Sequence, residues 1–218
     1  MRVVIAGGHG KIALLLERLL AERGDQVVGL IRNPAQAGDL QKVDAEAAVC
    51  DLETASADEV AVLLAGADAV VFAAGAGPGS GAARKDTVDR GASVLLAEAA
   101  TRAGVRRFAQ VSSMGAGQPP ETGRDEVWAA YLTAKTAAED DLAGRDLDWT
   151  ILRPGGLTDA APTGRVRLAP PPVPRGTIPR ADVAAVITAL LDEPGTRHQT
   201  LELVSGDTPI ATAVRSIS

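Results

Sequence analysis

The feature that most constrains this chain is a glycine cluster set between an apolar run and an amphipathic helix. Val3-Val4-Ile5-Ala6 is followed by Gly7-Gly8-His9-Gly10-Lys11-Ile12-Ala13. The run is apolar at every position, as in a strand buried on both faces. Ile12, Leu15, Leu16, Leu19 and Leu20 then share one helical face, and Gly24-Asp25 closes that helix. Gln26-Val27-Val28-Gly29-Leu30-Ile31 reads as a second strand. Strand, glycine loop, helix and strand in this span make a βαβ unit. Glycines allow a tight turn and a close approach of bare backbone, while the first N–H groups of the helix attract an anion.

In that context the loop fits the pyrophosphate of a dinucleotide, with Gly7, Gly8, His9, Gly10, Lys11 and Ile12 around it. Gly8, Gly10 and Ala13 match G-x-G-x-x-A; Gly7, Gly10 and Ala13 match G-x-x-G-x-x-A equally well. Small Ala13 lets the helix lie close on the strand. His9 reads either as a cofactor contact or as an ordinary loop histidine. The second strand ends in Arg32-Asn33 with no acid to accept from a ribose 2′-OH. Arg32 can pair bidentately with a 2′-phosphate, so NADP(H) is the expected cofactor, with NAD(H) the alternative if Arg32 is only a solvated strand end.

Further along, Ala45–Cys50 reads as a third strand with Asp51-Leu52 at its mouth; Asp51 either meets an adenine amino group or begins the next turn. A helix over 57–65 and a fourth strand over 68–73 lead into a run of small residues. There Ala73, Ala74 and Gly75 fall where a parallel sheet binds ligands, and Gly77 to Gly81 reads as a flexible loop. A helix is expected from Asp86 to Arg102, with Gly104 stopping it, and a fifth strand at Arg107–Val111. Alternating strands and helices, with strands apolar at successive positions, predict an α/β fold: a doubly wound parallel sheet of the Rossmann type.

The fifth strand ends in Ser112-Ser113, and an expected helix from Arg124 to Ala143 carries Tyr131 and Lys135 on one face. An ammonium beside a phenol lowers the phenol pKa, which suits proton exchange as hydride moves to or from a carbonyl, with a serine hydroxyl orienting the same oxygen. With one tyrosine and four lysines in the chain, a lysine four residues beyond that tyrosine has a chance of roughly 2%. The bland alternative is a half-buried tyrosine packed beside a solvated lysine. After a sixth strand at Trp149–Arg153, six prolines between Ala160 and Arg180 exclude a helix there. Val166–Leu168 is expected as a short strand at the substrate mouth, Arg180–Leu191 as a helix and Thr200–Val204 as a last strand.

These motifs resemble those of short-chain dehydrogenases/reductases of the atypical, NmrA-like, NAD(P)H-binding type, over nearly the whole chain. The match rests on Gly7–Ala13, Ile31-Arg32-Asn33, Asp51-Leu52, Ala73-Ala74-Gly75, Val88-Asp89-Arg90-Gly91, Val111-Ser112-Ser113, Tyr131/Lys135 and Leu152-Arg153-Pro154-Gly155. The resemblance implies that Tyr131 and Lys135 are the acid/base pair, aided by Ser113 ahead of Ser112. It further implies that Pro154, Gly155, Gly156 and Leu157 face the nicotinamide. The asparagine that many relatives use has no clear match in the 86–102 helix, and many atypical members lack the tyrosine.

A single domain over 1–218 is expected, with 154–180 and 205–218 as substrate-side loops and tail. Net charge −6 and a pI near 5.0 disfavour nucleic acid as a partner. No apolar run approaches a membrane span, the single Cys50 fits a reducing cytoplasm, and two scattered histidines argue against a metal site. The expected protein is cytoplasmic, a monomer or homodimer, acting on a small molecule. Its expected function is NADP(H)-dependent transfer of hydride to or from a small carbonyl or quinone/flavin-like acceptor. The alternatives are a redox sensor without turnover and, disfavoured by the short tail, a sugar-nucleotide epimerase or dehydratase.

Overall fold

Along β1 (Arg2–Ala6), Val3 and Ile5 point to one side of the sheet and Val4 and Ala6 to the other, and all four are fully buried. Both faces are therefore covered by helices, which explains why the strand is apolar throughout. The computed structural model describes residues 1–77, 79–118 and 125–217.

The first half of the chain runs α1 (Lys11–Glu22), β2 (Gln26–Ile31), α2 (Ala37–Gln41), β3 (Glu46–Val49), α3 (Ala57–Leu64) and β4 (Ala69–Phe72). A helical stretch follows in three parts: α4 (Ala82–Arg84), a π-helical segment (Lys85–Ala92) and α5 (Ser93–Ala103). It ends at Gly104, whose φ of 72° is left-handed, where glycine has no Cβ penalty. The expected helix thus begins before Asp86 and contains a π turn that apolar periodicity does not reveal.

Next come β5 (Arg107–Val111), α6 (Glu126–Ala143), β6 (Asp148–Pro154), β7 (Gly156–Thr158), β8 (Arg165–Ala169) and β9 (Thr177–Pro179). The chain closes with α7 (Arg180–Asp192), β10 (Gln199–Ser205), β11 (Thr208–Pro209) and α8 (Ile210–Arg215). Asp125 caps α6, its Oδ1 accepting from Val127 N–H at 3.0 Å; the expected start at Arg124 lies outside the described residues.

Nine of these strands form one sheet, in the order β11-β8-β10-β6-β5-β4-β1-β2-β3, while β7 and β9 pair separately. From β3 to β10 all neighbours are parallel. The fold is a doubly wound Rossmann-type sheet, as expected. α1, α7 and α8 pack on one face; α3, α5 and the end of α6 pack on the other. Strand order reverses between β1 and β4, and the crevice beyond their carboxyl ends is where such sheets bind ligands.

In the second half, the expected strand at Val166–Leu168 is present; it pairs antiparallel with β10, next to the edge strand β11, and lines neither of the two cavities at the carboxyl ends of the strands. Beyond β10 the chain folds as β11 and α8, with Ala213 and Val214 buried in the core beneath α7. Asp182 at the start of α7 accepts from the N–H groups of Thr163 and Gly164, each at 2.9 Å, and holds the loop before β8.

Candidate active site

At the end of β1 the chain turns through Gly7 with φ 80°, and a Cβ there would lie 2.6 Å from Ala74 Cα. Only glycine fits that turn. Gly10 starts α1, donating its N–H to Gly7 O at 2.8 Å, and no side chain caps the helix. The first-turn N–H groups of α1 are thus left to a ligand. Gly8 packs the loop on β2, since a Cβ there would lie 2.7 Å from Gly29 Cα. Gly7 and Gly10 are the loop glycines at the smaller of two cavities, and fully buried Ala13 lies beneath the loop where α1 packs on the sheet.

Two cavities, of about 750 and 420 Å³, meet along Ala73, Ala74 and Gly75 at the end of β4. This bipartite shape, flanked by the glycine cradle and the uncapped helix, fits a dinucleotide. The smaller cavity gathers Gly7, His9, Gly10, Arg32, Asn33, Asp51 and Leu52, as the motifs predicted. His9 Nε2 lies 2.9 Å from Asp39 Oδ2. Asn33 Oδ1 accepts from Ala35 N–H at 3.0 Å and starts a short turn. Asp51 does the same for Glu53, whose N–H donates to Asp51 Oδ1 at 3.0 Å, so it shapes a turn while lining the cavity.

That turn presents an acid the strand-end motif did not reveal. Arg32 Nη1 donates to Glu53 Oε2 at 3.0 Å, and Arg84 Nη2 donates to the same oxygen at 2.6 Å. The Thr87 hydroxyl donates to Glu53 Oε1 at 2.8 Å. Thr87, and then the Arg84 guanidinium, hold the Glu53 carboxyl below its usual range. Lys11, in contrast, points away from both cavities: its Nζ bonds Asp159 Oδ2 at 2.7 Å, on a carboxylate that also accepts from Arg180 at 2.6 Å.

The larger cavity gathers Ile12, Ser112, Ser113, Tyr131, Lys135 and Pro154 to Leu157. Gly77, Gly79 and Ser80, expected in a flexible loop, also line it; Pro78 lies outside the described residues. A Cβ on Gly155 would sit 2.3 Å from Gly176 O, and Gly156 N–H donates to that carbonyl at 2.9 Å. The β7–β9 pair thus holds the Pro-Gly loop against the cavity, an arrangement the irregular 154–180 sequence did not announce.

Half-buried Tyr131 and buried Lys135 lie one turn apart on α6, and both line the larger cavity. Lys135 Nζ is 3.3 Å from Asp89 Oδ1, donates to Val111 O at 3.2 Å and lies 5.8 Å from the Tyr131 ring centre. Burial lowers the Lys135 pKa, and Asp89 opposes that shift. The expected lowering of the Tyr131 pKa is overturned. Burial pushes the phenol up to about 12; a hydrogen bond with the Ser113 hydroxyl pulls it down, and Asp89 and Glu139 push it further up. The Lys135 charge is compensated by Asp89, a carboxylate whose effect on the phenol sequence spacing could not supply. The Ser112 hydroxyl is buried without a hydrogen-bond partner among the described residues. Glu53, Arg84, Lys85, Asp89 and Trp128 line the site without having been singled out for it.

A Rossmann sheet with a glycine cradle at its switch point and two joined cavities defines a nicotinamide-dinucleotide-binding protein with an oxidoreductase-like fold. The chain belongs to the NAD(P)H-binding family, whose sequence model matches residues 7–194. It is 35% identical over 218 residues to the "Uncharacterized sugar epimerase YhfK" of Bacillus subtilis (strain 168), covering 100% of both chains. A solved structure, a putative NAD-dependent epimerase/dehydratase from Bacillus halodurans, superposes with a TM-score of 0.91 at 36% identity over 99% of each chain. The oxidoreductase ylbE from Lactococcus lactis superposes with a TM-score of 0.86 at 27% identity, over 99% of this chain and 96% of that one. Among the described residues, no helix is long and apolar enough to cross a membrane.

Proposed function

We propose that the protein is an NADP(H)-dependent reductase of the short-chain type acting on a small carbonyl or quinone/flavin-like acceptor. The observation that carries the reading is a half-buried phenol, Tyr131, that lines the larger cavity together with Ser113 and Lys135, where that cavity adjoins the glycine cradle. A bound nicotinamide supplies the hydride. Gly7 and Gly10 cradle the pyrophosphate, Arg32 takes the 2′-phosphate, and Pro154 to Leu157 face the nicotinamide end. Ser113 orients the acceptor oxygen and Tyr131 donates the proton to it. Burial holds the phenol in its protonated form at neutral pH, so it has a proton to give to the acceptor oxygen as hydride arrives. Lys135, paired with Asp89, positions the phenol and keeps a buried charge near it.

Replacing Tyr131 with Phe should lower NADPH-dependent turnover by roughly 100-fold or more while leaving cofactor affinity nearly unchanged. Fluorescence titration with NADPH and NADH, on the wild type and Arg32→Ala, reads the affinity side of the same experiment. Unchanged turnover in Tyr131→Phe would remove the proton-donor role, and equal NADPH and NADH affinity would remove the 2′-phosphate role. A second reading follows from the names of two relatives, a sugar epimerase and an epimerase/dehydratase. The former matches this chain over its full length, so the length of the tail does not exclude such chemistry. Interconversion of a sugar nucleotide without net NADPH consumption would establish it. Cofactor binding with neither activity would point to a sensor.

A further inference from the structure

Among the cations lining the larger cavity, Lys85 has no part in the proposed chemistry. Lys85 is only 9% exposed, and its Nζ lies 5.3 Å from the centre of the Tyr131 ring. Two other cations lining the cavity have carboxylate partners: Lys135 pairs with Asp89 at 3.3 Å and Arg180 with Asp159 at 2.6 Å. Lys85 donates only to a neutral acceptor, Gly77 O at 2.9 Å, and among the described residues no carboxylate lies within ion-pair distance of it. A buried ammonium has three donors and needs compensation, and one carbonyl leaves most of that need unmet.

The local backbone is also unusual. Lys85 opens the π-helical segment Lys85–Ala92, and this wider turn aims both Lys85 and Asp89 into the cavity. Single π turns occur mostly at functional sites because they re-aim side chains at the expense of regular hydrogen bonding. Trp128 and Tyr131, with ring centres 5.2 Å apart, line the same cavity as Lys85, together with Val127, Met114 and Asp125.

The geometry points to an acceptor with a flat apolar body and a carboxylate, the carboxylate binding to the Lys85 ammonium while the body stacks near Trp128 and Tyr131. This inference rests on reading the larger cavity as the acceptor site. A charge-assisted bond from a desolvated ammonium to a carboxylate is about twice as strong as its neutral counterpart, so Lys85 discriminates charge as well as shape.

The test is binding of two probes of equal shape, 2-naphthoate and 2-naphthamide, followed by quenching of tryptophan fluorescence with and without NADP⁺. Wild type should bind naphthoate at least tenfold more tightly. Lys85→Met should erase that margin while leaving naphthamide affinity unchanged, which also verifies that the cavity is intact, and Lys85→Arg should keep part of it. If the two probes bind alike, if neither binds, or if the margin survives Lys85→Met, the inference is overturned. The reductase reading fails separately: wild type that prefers naphthoate yet oxidises NADPH with no acceptor keeps the carboxylate site and loses the chemistry.

Discussion

The proposed choice of NADPH turns on three charges. Glu53 is hydrogen-bonded to both Arg32 and Arg84, the guanidiniums between which a 2′-phosphate would have to fit. Glu53 would then oppose NADPH in two ways: it would occupy the arginine donors, and it would repel the phosphate. For NADH the same carboxylate is able to accept from a ribose hydroxyl, the role an acid at the end of β2 has in NAD-specific units. Replacing Glu53 with Gln should raise the NADPH-to-NADH affinity ratio by roughly tenfold at low salt, less as salt screens these partly exposed charges. Paired titrations of both cofactors measure it, and an unchanged ratio would mean that Glu53 swings clear of the phosphate. Arg32 was legible in the sequence because it follows a strand directly. Glu53 and Arg84 were not, because they reach the same point from a turn after β3 and from a helix after β4, and only the folded sheet brings them together.

Elements were legible where one physical rule governed them. β2 matches its expected residues because the apolar run Val27 to Ile31, bounded by turn residues, leaves little freedom, and α1 because its apolar face repeats cleanly. The π segment escaped because it keeps a helical spacing of apolar residues, and β7 and β9 because three-residue strands among prolines and glycines carry no period. α1 also holds a feature visible only in three dimensions. Glu17 is fully buried, neither carboxyl oxygen has a hydrogen-bond partner among the described residues, and a Cβ on Gly29 would lie 2.5 Å from its Oε1. Burial raises its pKa from 4.5 to about 8. The folded state thus holds a proton that the unfolded chain releases above its own lower pKa. The stability linked to that proton is fully present below about pH 4.5 and is lost as pH rises through 8. At about 1.4 kcal/mol per unit the loss is on the order of 5 kcal/mol. Glu17→Gln removes the titration, so its melting temperature should gain on wild type by several degrees between pH 5 and pH 9. A difference that stays constant with pH would show that the carboxyl ionises freely in the folded protein.

Across the whole molecule, the end of the sheet opposite the cavities is tied together by one buried side chain. Arg107 begins β5 there and is only 8% exposed. Its Nη1 donates to Asp148 O at 2.8 Å and to Thr150 Oγ1 at 2.9 Å, both on β6. Its Nη2 donates to Leu190 O at 2.6 Å, on α7, and to Thr196 Oγ1 at 3.3 Å, in the turn before β10. One guanidinium therefore joins β5 to β6, to α7 and to the turn before β10, and Thr150 reinforces the tie by donating to Thr196 O at 2.7 Å. Burial pushes the Arg107 pKa down to about 10, so it stays charged at neutral pH and keeps all four bonds. Arg107→Leu leaves carbonyls and hydroxyls buried without their donor and should cost roughly 3 kcal/mol. The neighbouring Arg106 is a natural control: half exposed, it pairs with Asp146 at the surface, where screening leaves an ion pair little effect. Thermal unfolding should show a clear drop for Arg107→Leu and almost none for Arg106→Leu. NADPH affinity measured well below the transition should stay near wild type in both, because neither side chain lines either cavity. If Arg107→Leu melted with wild type, β5, β6 and α7 would be held together by their apolar core alone; if it lost NADPH affinity without melting, the sheet would be transmitting strain from this edge to the cofactor site.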